Sequence, residues 1–205
     1  MTDVMNEHEW RAAKTSFVIA DMPFMTYHGS VDETLRNAAR LMQEGLAKAL
    51  KLEGGTEIVP AVRALTKAGI PVMAHIGLTP QSINVLGGFK TQGRTRAAWA
   101  AIEEDARQVA EAGAFAMVLE AMAEPLAAQI TKAVPIPTIG IGASAECDGQ
   151  VLVMEDMLGL NPQVPKFVKK FGKVGEAIES AISDYAEAVR DRSFPGPENT
   201  YPVKD

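Results

Sequence analysis

Residues 138–144 read Thr-Ile-Gly-Ile-Gly-Ala-Ser. Two glycines one residue apart, closing a β-branched run, force a choice between two parallel-sheet folds. In a doubly wound sheet a Gly-x-Gly opens the first βα turn and a third glycine completes the dinucleotide fingerprint. Here Gly140 and Gly142 come late in the chain and no third glycine follows. A (β/α) barrel commonly places a glycine-rich turn after one of its last strands. The stretch therefore favours an α/β barrel over an open dinucleotide-binding sheet.

The flanking sequence supports a barrel. Short apolar or β-branched runs alternate with Ala-rich amphipathic segments, and repeated βα units favour a parallel sheet. The runs predict strands over 17–21, 48–53, 71–76, 115–120, 138–142 and 151–154. Helices are predicted over 30–44, with Ser30 and Glu33 as a capping box, and from 56 to 68, ended by Gly69. Further helices are predicted over 95–112, 124–133 and 172–192, and a polar, glycine-rich loop over 79–94. No composition shift or linker divides the 205 residues, so one domain with a C-terminal helix and tail is expected.

Composition narrows the function. The net charge of −6 disfavours a nucleic-acid surface, so an anionic substrate would need a local positive centre. A single cysteine, Cys147, excludes an intrachain disulfide or a Cys-rich zinc site and fits a reducing, cytoplasmic setting. The polar start, MTDVMNEHEW, is not a signal peptide, and no run is apolar enough to span a membrane.

Barrel chemistry sits at the C-terminal ends of the strands. Asp21, Lys51 with Glu53, His75 and Glu120 all fall there. Each alone reads most simply as a helix cap or a solvated rim residue. Together they would converge on one rim. Two neighbouring carboxylates, Asp21 and Glu53, need a cation, and oxygen ligands beside a bound substrate suit Mg²⁺. Glu120 closes the apolar run AFAMVL, a setting for a proton-accepting carboxylate. Lys51 would attract an anionic substrate. The set points to metal-assisted proton abstraction beside a carbonyl.

Longer motifs are more specific. ADMPFM (20–25), KLEGG (51–55), HIGLTPQSINVLGGFKTQGR (75–94), VLE (118–120), IPTIGIGASAECDGQVLVMEDMLG (136–159), PKFVKKF (165–171) and FPGPENTY (194–201) occur in one order. In that order they resemble the ketopantoate hydroxymethyltransferase family. The resemblance implies a (β/α)₈ TIM barrel of the phosphoenolpyruvate mutase and isocitrate lyase superfamily. It implies transfer of a hydroxymethyl group from 5,10-methylenetetrahydrofolate to 2-oxoisovalerate, with Mg²⁺, in pantothenate biosynthesis, by a homo-oligomer. By motif position Asp21 would bind metal and oxo acid, Glu53 the metal, Lys51 and His75 the substrate, and Glu120 would accept the proton.

The resemblance also implies two further strands, with a metal-binding Gly-Asp-Ser, ahead of the matched motifs. The sequence contains no Gly-Asp-Ser. Residues 1–14 resemble the helix that leads into the family's third strand. Six strands are therefore expected, in a barrel open between 17–21 and 151–154. Two alternatives accompany this expectation: a catalytically impaired fragment acting only in assembly, and a C–C lyase acting on another 2-oxo acid.

Overall fold

The structure, a computed structural model, describes residues 15–203. The helix expected over 1–14 lies outside these residues. The chain divides into two compact units, Met1–Val151 and Leu152–Asp205.

The first unit is built around one six-stranded sheet. Its strands are β1 (Ile19–Asp21), β2 (Ala49–Glu53), β3 (Val72–Gly77), β4 (Ala116–Glu120), β5 (Thr138–Ile141) and β6 (Gly149–Gln150). Every neighbouring pair is parallel, and the order in space is the order in sequence. That topology is the expected barrel architecture, curled into part of a barrel. Among the described residues β1 and β6 each pair on one side only.

Helices α1 (Val31–Gln43), α2 (Val59–Lys67), α4 (Trp99–Glu111) and α5 (Glu124–Ala133) make the crossovers, and α3 (Ile83–Leu86) is a short insertion before α4. Ser30 starts α1 by accepting a hydrogen bond from the Glu33 amide. Pro60 and Pro125 sit in the first turns of α2 and α5, where a missing N–H costs nothing. Alternation along β2 sorts its residues. Leu50 and Leu52 are fully buried with Val62 and Leu65 of α2 and Val72 of β3 in the apolar core, while Lys51 and Glu53 take the opposite face.

Gly55 has a specific packing reason. A Cβ there would come within 2.1 Å of the Asp105 carboxyl carbon. That carboxylate accepts the Thr56 amide at 2.8 Å and so ties α4 to the turn after β2. Burial pushes the Asp105 carboxyl above its ordinary value.

Two expectations need correction. The sixth strand is Gly149–Gln150, not 151–154, and the following residues turn into α6 (Met154–Met157). A short apolar run does not distinguish strand from helix, and Glu155 and Asp156 in the first turn favour the helix. The segment 79–94 is not all loop. A 3₁₀ turn at Pro80–Ser82 leads into α3, which ends at Gly87 in the left-handed conformation (φ +67°).

The second unit carries α6 and the longer α7 (Val174–Asp191). Tyr185 of α7 meets Phe194 edge-to-face at 5.6 Å. No helix among the described residues is long and apolar enough to cross a membrane.

Candidate active site

Strand register decides which side chains meet. Asp21, Lys51, Met73 and Ala116 lie level across β1 to β4. One step up, Glu53, His75, Val118 and Ile139 are level. One further step up, Gly77, Glu120 and Ile141 are level. Paired residues of parallel strands face the same side, and residues two apart on a strand share a face. Asp21, Lys51, Glu53, His75 and Glu120 therefore stand on one face at the C-terminal ends of four neighbouring strands. The sequence expectation for these five positions matches where the structure puts them.

Lys51 is the hub. Its Nζ lies 2.7 Å from Asp21 Oδ2, 3.7 Å from Glu53 Oε1 and 3.2 Å from His75 Nδ1. An ammonium only donates, so His75 Nδ1 accepts and the proton of the neutral ring sits on Nε2. That Nε2 is buried and 3.1 Å from Glu120 Oε2, but the N–H direction misses the oxygen. The distance suits a hydrogen bond and the angle does not, so this donor has no protein partner. A buried donor without a partner is costly.

Exposure is graded. The Asp21 side chain is half exposed, whereas those of Glu53 and His75 are 5% and 3% exposed. Two carboxylates, Asp21 and Glu53, face the one ammonium, and Glu120 adds a third beside His75, a surplus of negative charge that a further cation would offset. No three His, Cys, Asp or Glu side chains among the described residues cluster closely enough to chelate a metal alone. Asp21 and Glu53 are a pair, and Mg²⁺ takes one or two protein carboxylates and completes its shell with water and substrate. The donor set fits that ion.

The chain turns sharply after Glu120. Ala121 adopts a left-handed conformation (φ +43°), held by its amide to Ile141 O and by its carbonyl, which accepts from Gln92 N, each at 2.8 Å. Gly77, level with Glu120, has φ +92°, and a Cβ there would lie 2.4 Å from Glu120 O. Gly140 is different: a Cβ there would meet Gln150 and Cys147, so its role is packing of the loop after β5.

Two residues that the sequence did not single out belong to this site. Tyr27, in the loop after β1, is buried, and burial holds its phenol well above its ordinary value. Its OH accepts the Glu53 amide at 3.1 Å and donates to Gln81 Oε1 at 2.8 Å. The Gln81 backbone N–H donates to Glu53 Oε2 at 2.8 Å. A buried Tyr needs a partner for its hydroxyl, which is the one signal that could have found it.

The family model for ketopantoate hydroxymethyltransferase matches residues 3–197. The chain belongs to the ketopantoate hydroxymethyltransferase family. It is 60% identical over 194 residues to the 3-methyl-2-oxobutanoate hydroxymethyltransferase of Parvibaculum lavamentivorans, covering 95% of this chain and 71% of that one. It is 50% identical over 194 residues to the protein of the same name from Bartonella henselae, covering 95% and 70%. A putative lyase/mutase from Burkholderia cenocepacia J2315 aligns over 98% of this chain and 94% of that one, at 13% identity and a TM-score of 0.34. Membership of the ketopantoate hydroxymethyltransferase family makes the five-residue rim the place to look for a one-carbon transferase's chemistry.

Proposed function

We propose that this chain transfers a hydroxymethyl group from 5,10-methylenetetrahydrofolate to 2-oxoisovalerate (3-methyl-2-oxobutanoate), giving ketopantoate, within pantothenate and coenzyme A biosynthesis. The observation that carries the proposal is the unpartnered Nε2–H of His75, buried between Lys51 and Glu120. It offers a donor to a small anionic ligand at the spot where a carboxylate stands ready to accept a proton.

The geometry of the rim and the family membership support the following roles. Glu120 takes the proton from C3 of the oxo acid. The carbon so exposed forms a bond to the folate's methylene carbon, both of that carbon's bonds to nitrogen break, water supplies the hydroxyl in place of the second nitrogen, and the two nitrogens take up the C3 proton and the remaining water proton. Lys51 gives the oxo acid's negative charge a partner, and His75 donates from Nε2 to one of its oxygens. Asp21 and Glu53 would hold Mg²⁺, whose positive charge favours the enolate form of the substrate. Family membership and the names of the relatives support the reaction type. A homo-oligomer is part of the proposal.

Deuterium exchange isolates the proton step. With Mg²⁺ and no folate, the protein should exchange the C3 proton of 2-oxoisovalerate in deuterium oxide. Glu120→Gln should slow that exchange by about two to four orders of magnitude while leaving Mg²⁺ binding in place. Undiminished exchange in Glu120→Gln removes the base from the proposal.

A further inference from the structure

Glu53 is enclosed by a closed ring of hydrogen bonds. Its backbone N–H donates to the Tyr27 hydroxyl (3.1 Å), which donates to Gln81 Oε1 (2.8 Å), and the Gln81 N–H returns to Glu53 Oε2 (2.8 Å). The Gln81 amide orientation is fixed by this ring, because Nε2 donates to the Met22 carbonyl at 2.9 Å. Met22 directly follows Asp21. The Gln81 side chain thus joins the end of β1 to the loop after β1, while the backbone N–H of the same residue holds the Glu53 carboxylate. With Oε2 taken by the Gln81 backbone N–H, Oε1 is the oxygen left facing Lys51 Nζ (3.7 Å) and His75 Nδ1 (3.8 Å).

We propose that Gln81, acting with Tyr27, is a positioning residue. Its side chain anchors residue 81 to the end of β1 and to Tyr27, which holds its backbone N–H on Glu53 Oε2 and leaves Oε1 toward the rim, so that Asp21 and Glu53 present one oxygen each to a single divalent cation. The inference rests on the proposed role of Glu53 as a metal ligand. The chemistry is that of a supporting hydrogen bond: an oriented carboxylate binds a cation without first giving up rotamer freedom, and loss of such support commonly weakens metal affinity about 10–100-fold. The Gln81 side chain lies off the open rim and contacts neither Lys51 nor His75 among the described hydrogen bonds, so the effect runs through Glu53 and Met22.

Magnesium chloride alone, titrated calorimetrically into the full chain, tests this. Gln81→Met keeps the length of the side chain, removes the two side-chain hydrogen bonds that anchor residue 81 to Tyr27 and Met22, and so leaves its backbone N–H to Glu53 unsupported. It should weaken Mg²⁺ binding about tenfold or more, with a melting temperature close to that of the parent chain. Tyr27→Phe breaks the same ring at another atom and should shift affinity in the same direction, so the test stands even if one variant folds poorly. Glu53→Gln should lose most of the affinity. Parent-like Mg²⁺ affinity in Gln81→Met, with affinity lost in Glu53→Gln, overturns the clamp and leaves the metal site standing. Parent-like affinity in Glu53→Gln, or no binding by the parent chain, overturns the metal site and the clamp with it.

Discussion

His75 Nε2 and Glu120 Oε2 are 3.1 Å apart although the two residues occupy different levels of the sheet. His75 is level with Val118, and Glu120 with Gly77. The contact is therefore diagonal, and the residue beside Glu120 that would otherwise project a side chain from the same level of β3 is a glycine.

The diagonal contact predicts how substitution of His75 acts. His75→Phe keeps a ring in the buried space and removes both nitrogens. The KM for 2-oxoisovalerate should rise about tenfold or more, as expected when a hydrogen bond to a charged ligand is lost. Mg²⁺ affinity should change far less. Steady-state kinetics beside calorimetry checks both, and an unchanged KM would show that Nε2 does not face the oxo acid.

Gly77→Ala should damage the site from behind. The new methyl would come within 2.4 Å of the Glu120 carbonyl and 3.2 Å of Met122 Cε, in a backbone conformation with φ +92°. Overpacking of this kind costs about 1–3 kcal/mol in a denaturant titration. A shift of about 1 Å in a reacting group can reduce rate about 100-fold, so C3 exchange should fall by more than the stability loss explains. Equal, small effects on both would mean that the turn relaxes without moving Glu120.

Acid sensitivity should trace partly to Asp148. Its carboxylate accepts the Thr138 amide at 2.8 Å and the Thr138 hydroxyl at 3.1 Å, and these bonds hold its carboxyl below the ordinary value. A carboxyl lowered in the folded state stabilises the fold above the unfolded value of about 4. That contribution is lost as pH falls through the lower folded value. Melting temperature against pH should therefore decline below about pH 4 in the parent chain, and the decline should be shallower in Asp148→Asn. Parallel curves would place the acid response elsewhere.

Much of the site was legible because its three carboxylates each close an apolar run, with Lys51 and His75 interrupting such runs one or two residues from their ends. Asp21 closes FVIAD, Glu53 closes ALKLE and Glu120 closes AMVLE. A polar residue there has few structural duties, and a parallel sheet brings such ends together. Tyr27 and Gln81 were not legible, because they are 54 residues apart and meet only when β1 and β3 flank β2. The sixth strand was misplaced by two residues because Val151–Leu152–Val153 is apolar enough to resemble a strand. The ladder instead uses Gly149, whose lack of a Cβ admits the Ile139 side chain.

The stepped levels of the sheet make the chemistry vulnerable to errors that barely alter the fold. In a parallel ladder a one-residue slip turns every side chain of a strand to the opposite face. For β2 such a slip would send Lys51 and Glu53 toward the helices and bring Leu50 and Leu52 to the rim. Inserting or deleting one residue between α1 and β2 would leave the loop length nearly unchanged yet strip the rim of the Lys51 ammonium and of the Glu53 carboxylate. In this sheet the counting of residues before each strand is itself a catalytic determinant, and single-residue indels ahead of β2 should be far less tolerated than substitutions in the same connection.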